Sequence, residues 1–311
     1  MAHGTGQLGQ LGATEEDEDD EQDYEKFRCS EVHGRHCTFR RFANRIGGWP
    51  LLESVVNISE GSRPHVVTAI ASSAGGSLLD VHSDVHHNRS VLTLVGEEAP
   101  RAVARAAVAA LDLRRHQGVH PRFGVVDVVP FVPLAGSTLA DAVAARDRFL
   151  DWMAADLGVP GFAYGPERTL PEVRRLAFAE LPPDRGPARP HPSAGATAVG
   201  ARSVLVAWNV WLADSDLALA QRIARDIRGP RLRALGLPVG GRAQVSMNLV
   251  APDELGPAEA WDLVAERAAV AGAELVGLVP RSVLERIDAA RWAELDLAED
   301  RTIEARLAGF F

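Results

Sequence analysis

Leu78-Leu79-Asp80-Val81-His82-Ser83-Asp84-Val85-His86-His87-Asn88-Arg89-Ser90-Val91-Leu92-Thr93-Leu94-Val95-Gly96 reads as two short strands, Leu78 to Val81 and Ser90 to Gly96, around a polar loop from Ser83 to Arg89. A parallel crossover needs a dozen or more residues, so strands joined this closely pair antiparallel. Upstream, Pro50 to Asn57 alternates apolar and polar residues and predicts another strand, ending in Asn57-Ile58-Ser59-Glu60-Gly61. Downstream, Pro100 opens a helix to about Arg115, stopped by Gly118 and Pro121. A β-branched strand from Val125 to Val132, a helix from Leu139 to Leu157, a strand from Gly161 to Tyr164 and a helix from Leu170 to Ala179 follow.

Leu181 to Thr197 is rich in proline and reads as a linker or binding loop at a domain boundary. Beyond it, strands are expected at Ser203 to Leu212, Ala243 to Val250 and Glu274 to Val279. Helices are expected at Asp214 to Arg228, Pro257 to Ala271 and Arg281 to Arg291. Strands and helices in this mixture predict an α+β architecture with mixed or antiparallel sheets. Gly236 to Gly241 follows no predicted strand, so it does not read as a phosphate-binding glycine loop.

The chain has 311 residues and a formal net charge of −9. That excess sits in Glu15 to Glu25, where residues 15–21, 23 and 25 are all acidic and none is basic. The remainder is electrically balanced, which argues against nucleic acid as a partner. Residues 1–47 show no hydrophobic period and are expected to be a disordered tail. Cys29 and Cys37, with His33 and His36, are too few for a disulfide framework and weak as a metal knuckle. No apolar run reaches the length of a membrane span, and the N-terminus is acidic, so a cytoplasmic protein is expected.

Five of the ten histidines, His82, His86, His87, His116 and His120, fall in two loops flanked by predicted strands. Three readings compete for them. His116 and His120 have the spacing of helical metal ligands, but Gly118 and Pro121 break the helix and no glutamate follows His116. The imidazoles can instead tie the loops together by hydrogen bonds. They can also work as general acid–base groups, with Asp84 or Asp127 fixing a tautomer and Arg89 and Arg122 anchoring a carboxylate substrate.

Further motifs recur in a fixed order: Val56-Asn57-Ile58-Ser59-Glu60-Gly61, His87-Asn88-Arg89-Ser90-Val91, and Arg115-His116-Gln117-Gly118-Val119-His120-Pro121-Arg122. Asp127-Val128-Val129-Pro130-Phe131, Gly195-Ala196-Thr197, Gly200-Ala201-Arg202 and Gln244-Val245-Ser246-Met247-Asn248-Leu249 complete the set. From about Pro50 to Leu284 this set resembles the glutamate formiminotransferase family. The resemblance implies two ferredoxin-like α+β subdomains, each a mixed or antiparallel sheet with helices on one face, separated by a groove. The expected division is a tail at 1–47 and subdomains at 48–197 and 198–311.

The resemblance further implies a cytoplasmic, homodimeric transferase that moves a formimino group from N-formimino-L-glutamate to tetrahydrofolate in histidine degradation, without a metal. The family's catalytic histidine falls on His120. Asp84 and Asp127 are its expected catalytic companions, with Glu60, His87, Asn88, Arg89, His116 and Arg122 expected to bind substrate. The family's folate loop falls on Gly186, Pro192, Ser193 and Gly195, and a second loop on Arg231 and Arg233. Two positions depart from the family pattern: Val119 stands where a glutamate is usual, and Ala194 where an aromatic ring is usual. Such changes fit a relative acting on another small amidine or amino acid without folate, or a silent ligand-binding relative.

Overall fold

A computed structural model describes residues 50–118 and 122–309. The acidic tail, both cysteines, Val119, His120 and Pro121 lie outside the described residues.

The first sheet is built from β1 (Leu52–Ile58), β2 (Leu78–Asp84), β3 (Arg89–Val95), β4 (Val126–Pro133), β5 (Gly161–Tyr164) and β6 (Thr197–Ala201). Its order is β2-β3-β1-β4-β6-β5. The expected antiparallel hairpin is β2–β3, with His82 opposite Val91 and Asp84 opposite Arg89. Its strands run further than the sequence indicated, so only residues 85–88 form the turn. β1 pairs antiparallel with both β3 and β4, whereas β4–β6 and β6–β5 are parallel.

Helices α1 (Pro64–Ser72) and α2 (Glu98–Ala110) complete a β-α-β-β-α-β unit with the split topology expected of a ferredoxin-like fold. Helix α3 (Leu139–Leu157) begins at a capping box between Thr138 and Asp141 and stops at Gly158, whose φ of 63° suits a left-handed cap. Its inward face inserts Ala142, Ala145, Phe149, Leu150 and Met153 into the core with Leu52, Val56, Leu92, Leu94 and Phe131. Phe149 alone contributes ~1.5–3 kcal/mol of transfer free energy by its burial.

The second sheet repeats the plan. β7 (Val206–Leu212), α5 (Leu217–Asp226), β8 (Leu232–Val239), β9 (Arg242–Leu249), α6 (Pro257–Ala265) and β10 (Val270–Val276) give the order β10-β7-β9-β8. Helix α4 (Leu170–Leu176) lies between the two units in sequence, and α7 (Arg281–Leu284) and α8 (Ile303–Ala308) follow the second. Trp208 is fully buried among Val210, Ile223, Val245 and Leu275, and its indole N–H donates to the Leu295 carbonyl at 3.0 Å.

Several elements differ from the sequence reading: α8 is new, β10 begins within the helix expected to reach Ala271, and the helix expected over Arg281 to Arg291 is confined to Arg281–Leu284. Helix α1 is new, because Arg63 caps it without a side-chain hydrogen bond and gives no start signal. β6 belongs to the first sheet, so the expected boundary at 197/198 falls inside a strand and the sheets are joined by residues 202–205. β8 occupies residues read as loop. It tolerates Pro238 as an edge strand, and Gly240 and Gly241, both at positive φ, close a two-residue hairpin to β9. Among the described residues no helix is long and apolar enough to cross a membrane.

Candidate active site

Core side chains on alternating strand positions face the main helices, so the intervening positions make a second face, helix-free on the second sheet and partly covered by α4 and α8 on the first. These faces meet. His82 of β2 pairs with Glu274 of β10 at 3.3 Å, and the β8–β9 turn at Gly240 lies against the His86 imidazole.

Asp127, near the start of β4, is the electrostatic centre of the first sheet. It is 1% exposed. Oδ2 accepts from Arg89 Nη1 at 3.0 Å and from Arg174 Nη2 at 2.5 Å, while Oδ1 accepts from the Phe123 backbone N–H at 2.9 Å. Burial alone would raise its pKa, but the two guanidinium charges and these hydrogen bonds outweigh it, and Asp127 stays ionised. Arg89 also donates Nε to Asn57 at 3.1 Å. Arg174, on α4, stacks 5.6 Å from the Phe123 ring centroid.

The turn at 85–88 is tied to both neighbouring loops. Asp84 Oδ1 accepts the backbone N–H groups of His86 and His87, each at 2.7 Å. Asn88 takes a left-handed φ of 46°. Its Oδ1 accepts from Gly61 N at 2.9 Å, and its amide nitrogen donates to the Gln117 carbonyl at 2.7 Å. His116 Nδ1 lies 3.4 Å from that same nitrogen. Arg122 closes the loop by donating to the carbonyls of Gly118 at 3.0 Å and His116 at 3.2 Å.

Gly118 packs directly on the His87 backbone carbonyl. Gly118→Ala is therefore expected to push this loop off the turn and to cost ~1–3 kcal/mol, as overpacking does, measurable by urea unfolding.

Glu60 is 2% exposed. Burial opposes its charge, yet Arg63 and Ser62 supply enough hydrogen bonds to hold its pKa below the ordinary value. Burial lowers the pKa of both His87 and His116, against Asp84 in the first case and assisted by Arg122 in the second; both imidazoles are neutral at pH 7.

The structure thus gathers Glu60, Asp84, His87, Asn88, Arg89, His116, Arg122 and Asp127 into one hydrogen-bonded assembly. Sequence reasoning missed Arg174, which arrives from a distant helix, and Glu274, which arrives from the other sheet. The capping box at Thr169 and Glu172 marked the helix but not its target.

A basic cluster flanks the assembly. Burial raises the Tyr164 pKa, and the charge and hydrogen bond of Arg202, with the charges of Arg174 and Arg233, oppose the rise. Gly200, opposite Tyr164 on β6, gives that ring its room. Arg231, by contrast, is turned to Glu254 at 3.8 Å.

In the predicted folate loop, His191 and Gly195 exchange backbone hydrogen bonds at 2.8 and 2.9 Å. Ser193 O accepts from Leu113 N at 2.7 Å, which fixes Pro192 and Ser193 beside the His116 loop. Gly186 instead sits against Pro160, next to the edge strand β5. Ala194 is 1% exposed and belongs to the hydrophobic core. Among the described residues no group of three or more His, Cys, Asp or Glu is placed to hold a metal ion.

Comparison with known proteins agrees with this geometry. Residues 51–202 match the formiminotransferase domain, N-terminal subdomain. A glutamate formimidoyltransferase of Streptococcus pyogenes is 35% identical over 78% of this chain and 92% of its own length. One from Thermoplasma acidophilum is 34% identical over 78% of this chain and 91% of its own. The pig formimidoyltransferase-cyclodeaminase is 37% identical over 77% of this chain, which spans 52% of that longer protein. With two-thirds or more of the chain aligned to whole transferases and the motif-bearing loops assembled around Asp127 and Asn88, the chain belongs to the formiminotransferase family of enzymes.

Proposed function

We propose that this enzyme transfers the formimino group of N-formimino-L-glutamate to tetrahydrofolate, with His120 as the general acid–base. The carrying observation is that both flanks of the His120 segment are pinned. Gly118 and Arg122 are joined through the Arg122 guanidinium, and Gln117 is joined to the 85–88 turn through Asn88.

The chemistry requires such a group. A folate nitrogen attacks the amidine carbon and forms a tetrahedral adduct. A proton must leave the attacking nitrogen and another must reach the departing glutamate nitrogen before the C–N bond breaks. A histidine titrating near neutrality performs both transfers. Asp127 is saturated by Arg89, Arg174 and Phe123, which supports a positioning role: it orients guanidinium groups toward an anionic ligand. Asp84 likewise holds the turn. The positive charge that Arg202, Arg174 and Arg233 place around Tyr164 supports carboxylate binding in that region, by the substrate glutamate or the folate tail. Pro192, Ser193 and Gly195 would border the folate from the adjoining loop.

The test is to mix the purified protein with N-formiminoglutamate and tetrahydrofolate and follow the formimino-folate by absorbance. His120→Ala is expected to lower kcat by ~10²–10⁴-fold with an unchanged unfolding profile. Turnover near wild type would remove His120 from its role, and absent turnover in the wild type would remove the reaction. The same reading makes the enzyme a cytoplasmic homodimer, for which light scattering should report twice the chain mass.

A further inference from the structure

Glu274 belongs to no motif named above, yet it is the most heavily solicited carboxylate of the second sheet. Oε2 accepts from Asn209 Nδ2 at 3.0 Å and from Gln244 Nε2 at 3.3 Å, and Oε1 faces His82 Nε2 at 3.3 Å. Register places Glu274, Asn209 and Ser246 in one row across the sheet and Trp211 and Gln244 in the next, all on the helix-free face.

Gln244 is fully buried. Its amide nitrogen is committed to Glu274, which leaves Oε1 as a buried acceptor without a hydrogen-bond partner. Burying an unsatisfied acceptor costs ~1–3 kcal/mol, so such an atom marks a place where a donor belongs. The Gln244 amide links the Glu274 carboxylate to a second, unsatisfied acceptor, its own Oε1. These acceptors suit a planar cation with two N–H groups, not a neutral carbonyl compound.

We propose that Glu274 and Gln244 form the seat of the cationic amidine, Glu274 supplying the countercharge and Gln244 Oε1 a second acceptor. This rests on the formimino-transfer reading for its substrate class. His82 Nε2 meets the carboxylate from the opposite sheet and is the contact that the amidinium displaces or joins. A formyl donor, neutral and bearing an oxygen where the amidine bears NH₂⁺, would set an acceptor against acceptors and be rejected. The seat therefore selects formimino over formyl donors.

Saturation-transfer NMR of the intact protein with formamidinium chloride, and separately with formamide, tests the seat without glutamate or folate. Formamidinium is expected to bind at least tenfold more tightly than formamide. Glu274→Gln should erase that preference, and His82→Gln, which removes the imidazole and leaves only a neutral amide, should preserve or increase it. Equal binding of the two probes to the wild type would overturn the proposal, and this comparison needs no variant to fold. So would an undiminished preference in E274Q, or a loss in the His82→Gln protein matching that in E274Q, which would make the pair a strut between sheets. Formamidinium selectivity without formimino transfer would sink the assigned reaction and leave the seat standing. Transfer without selectivity would do the reverse.

Discussion

Asp127→Ala is expected to destabilise the protein by ~3–5 kcal/mol and to abolish transfer, the largest single effect the site offers. The carboxylate lies between Arg89 and Arg174, and its removal takes away the countercharge they share. Burial already lowers the pKa of Arg89, opposed chiefly by Asp127, so the variant would lose the group that keeps this charge tolerable. The Phe123 N–H would lose its acceptor as well. Asp127→Asn, which keeps the volume and one acceptor, should fall between the two. Urea unfolding of both variants measures the effect; a loss under ~1 kcal/mol for Asp127→Ala would show that the arginines find other partners.

Glu53→Gln should act in the opposite direction. Glu53 is buried on β1, and burial pushes its pKa up to about 7, with the Arg202 charge opposing the rise and Glu304 adding to it. An acid whose folded pKa exceeds its unfolded value stabilises the fold while protonated. Its contribution is complete below pH ~4.5 and is lost as pH rises through 7. The shift corresponds to at most ~3 kcal/mol. Wild-type stability should therefore fall between pH 5 and pH 8 by a margin that Glu53→Gln removes, and the variant should be the more stable protein at pH 8. Parallel slopes for the two proteins in urea titrations at both pH values would show that Glu53 is charged throughout. Asp127, Glu60 and Glu274 have lowered pKa values, so their contributions hold at neutral pH and fail on acidification.

What the sequence revealed depended on how local the cause was. The β2–β3 hairpin, α3 and β5 were legible because apolar periodicity, a capping residue and a short loop lie within each segment. Helix α1 was hidden by the lack of a capping side chain at Arg63. β6 was hidden because Thr197-Ala198-Val199-Gly200-Ala201 is small and buried on both faces; only its pairing with β4 and β5 makes it a strand. β8 was hidden by Gly236 and Pro238, which an edge position accepts.

The site divided in the same way. Asn88, Arg89, His116 and Arg122 could be grouped through the family resemblance, whereas residue spacing alone does not show that their two loops meet. Arg174 and Glu274 could not, because their partners lie far away in the chain and no local pattern announces a long-range ion pair.

The insertion of β6 between β4 and β5 also sets an order of manufacture. A nascent chain releases β4 and β5 well before Thr197, and neither can complete its parallel pairing until the proline-rich loop and β6 have been synthesised. Through that interval the first lobe carries two unsatisfied strand edges where one finished sheet will stand. The early, locally closing β1–β3 region can form at once, whereas closure of the sheet waits for residues 165–201.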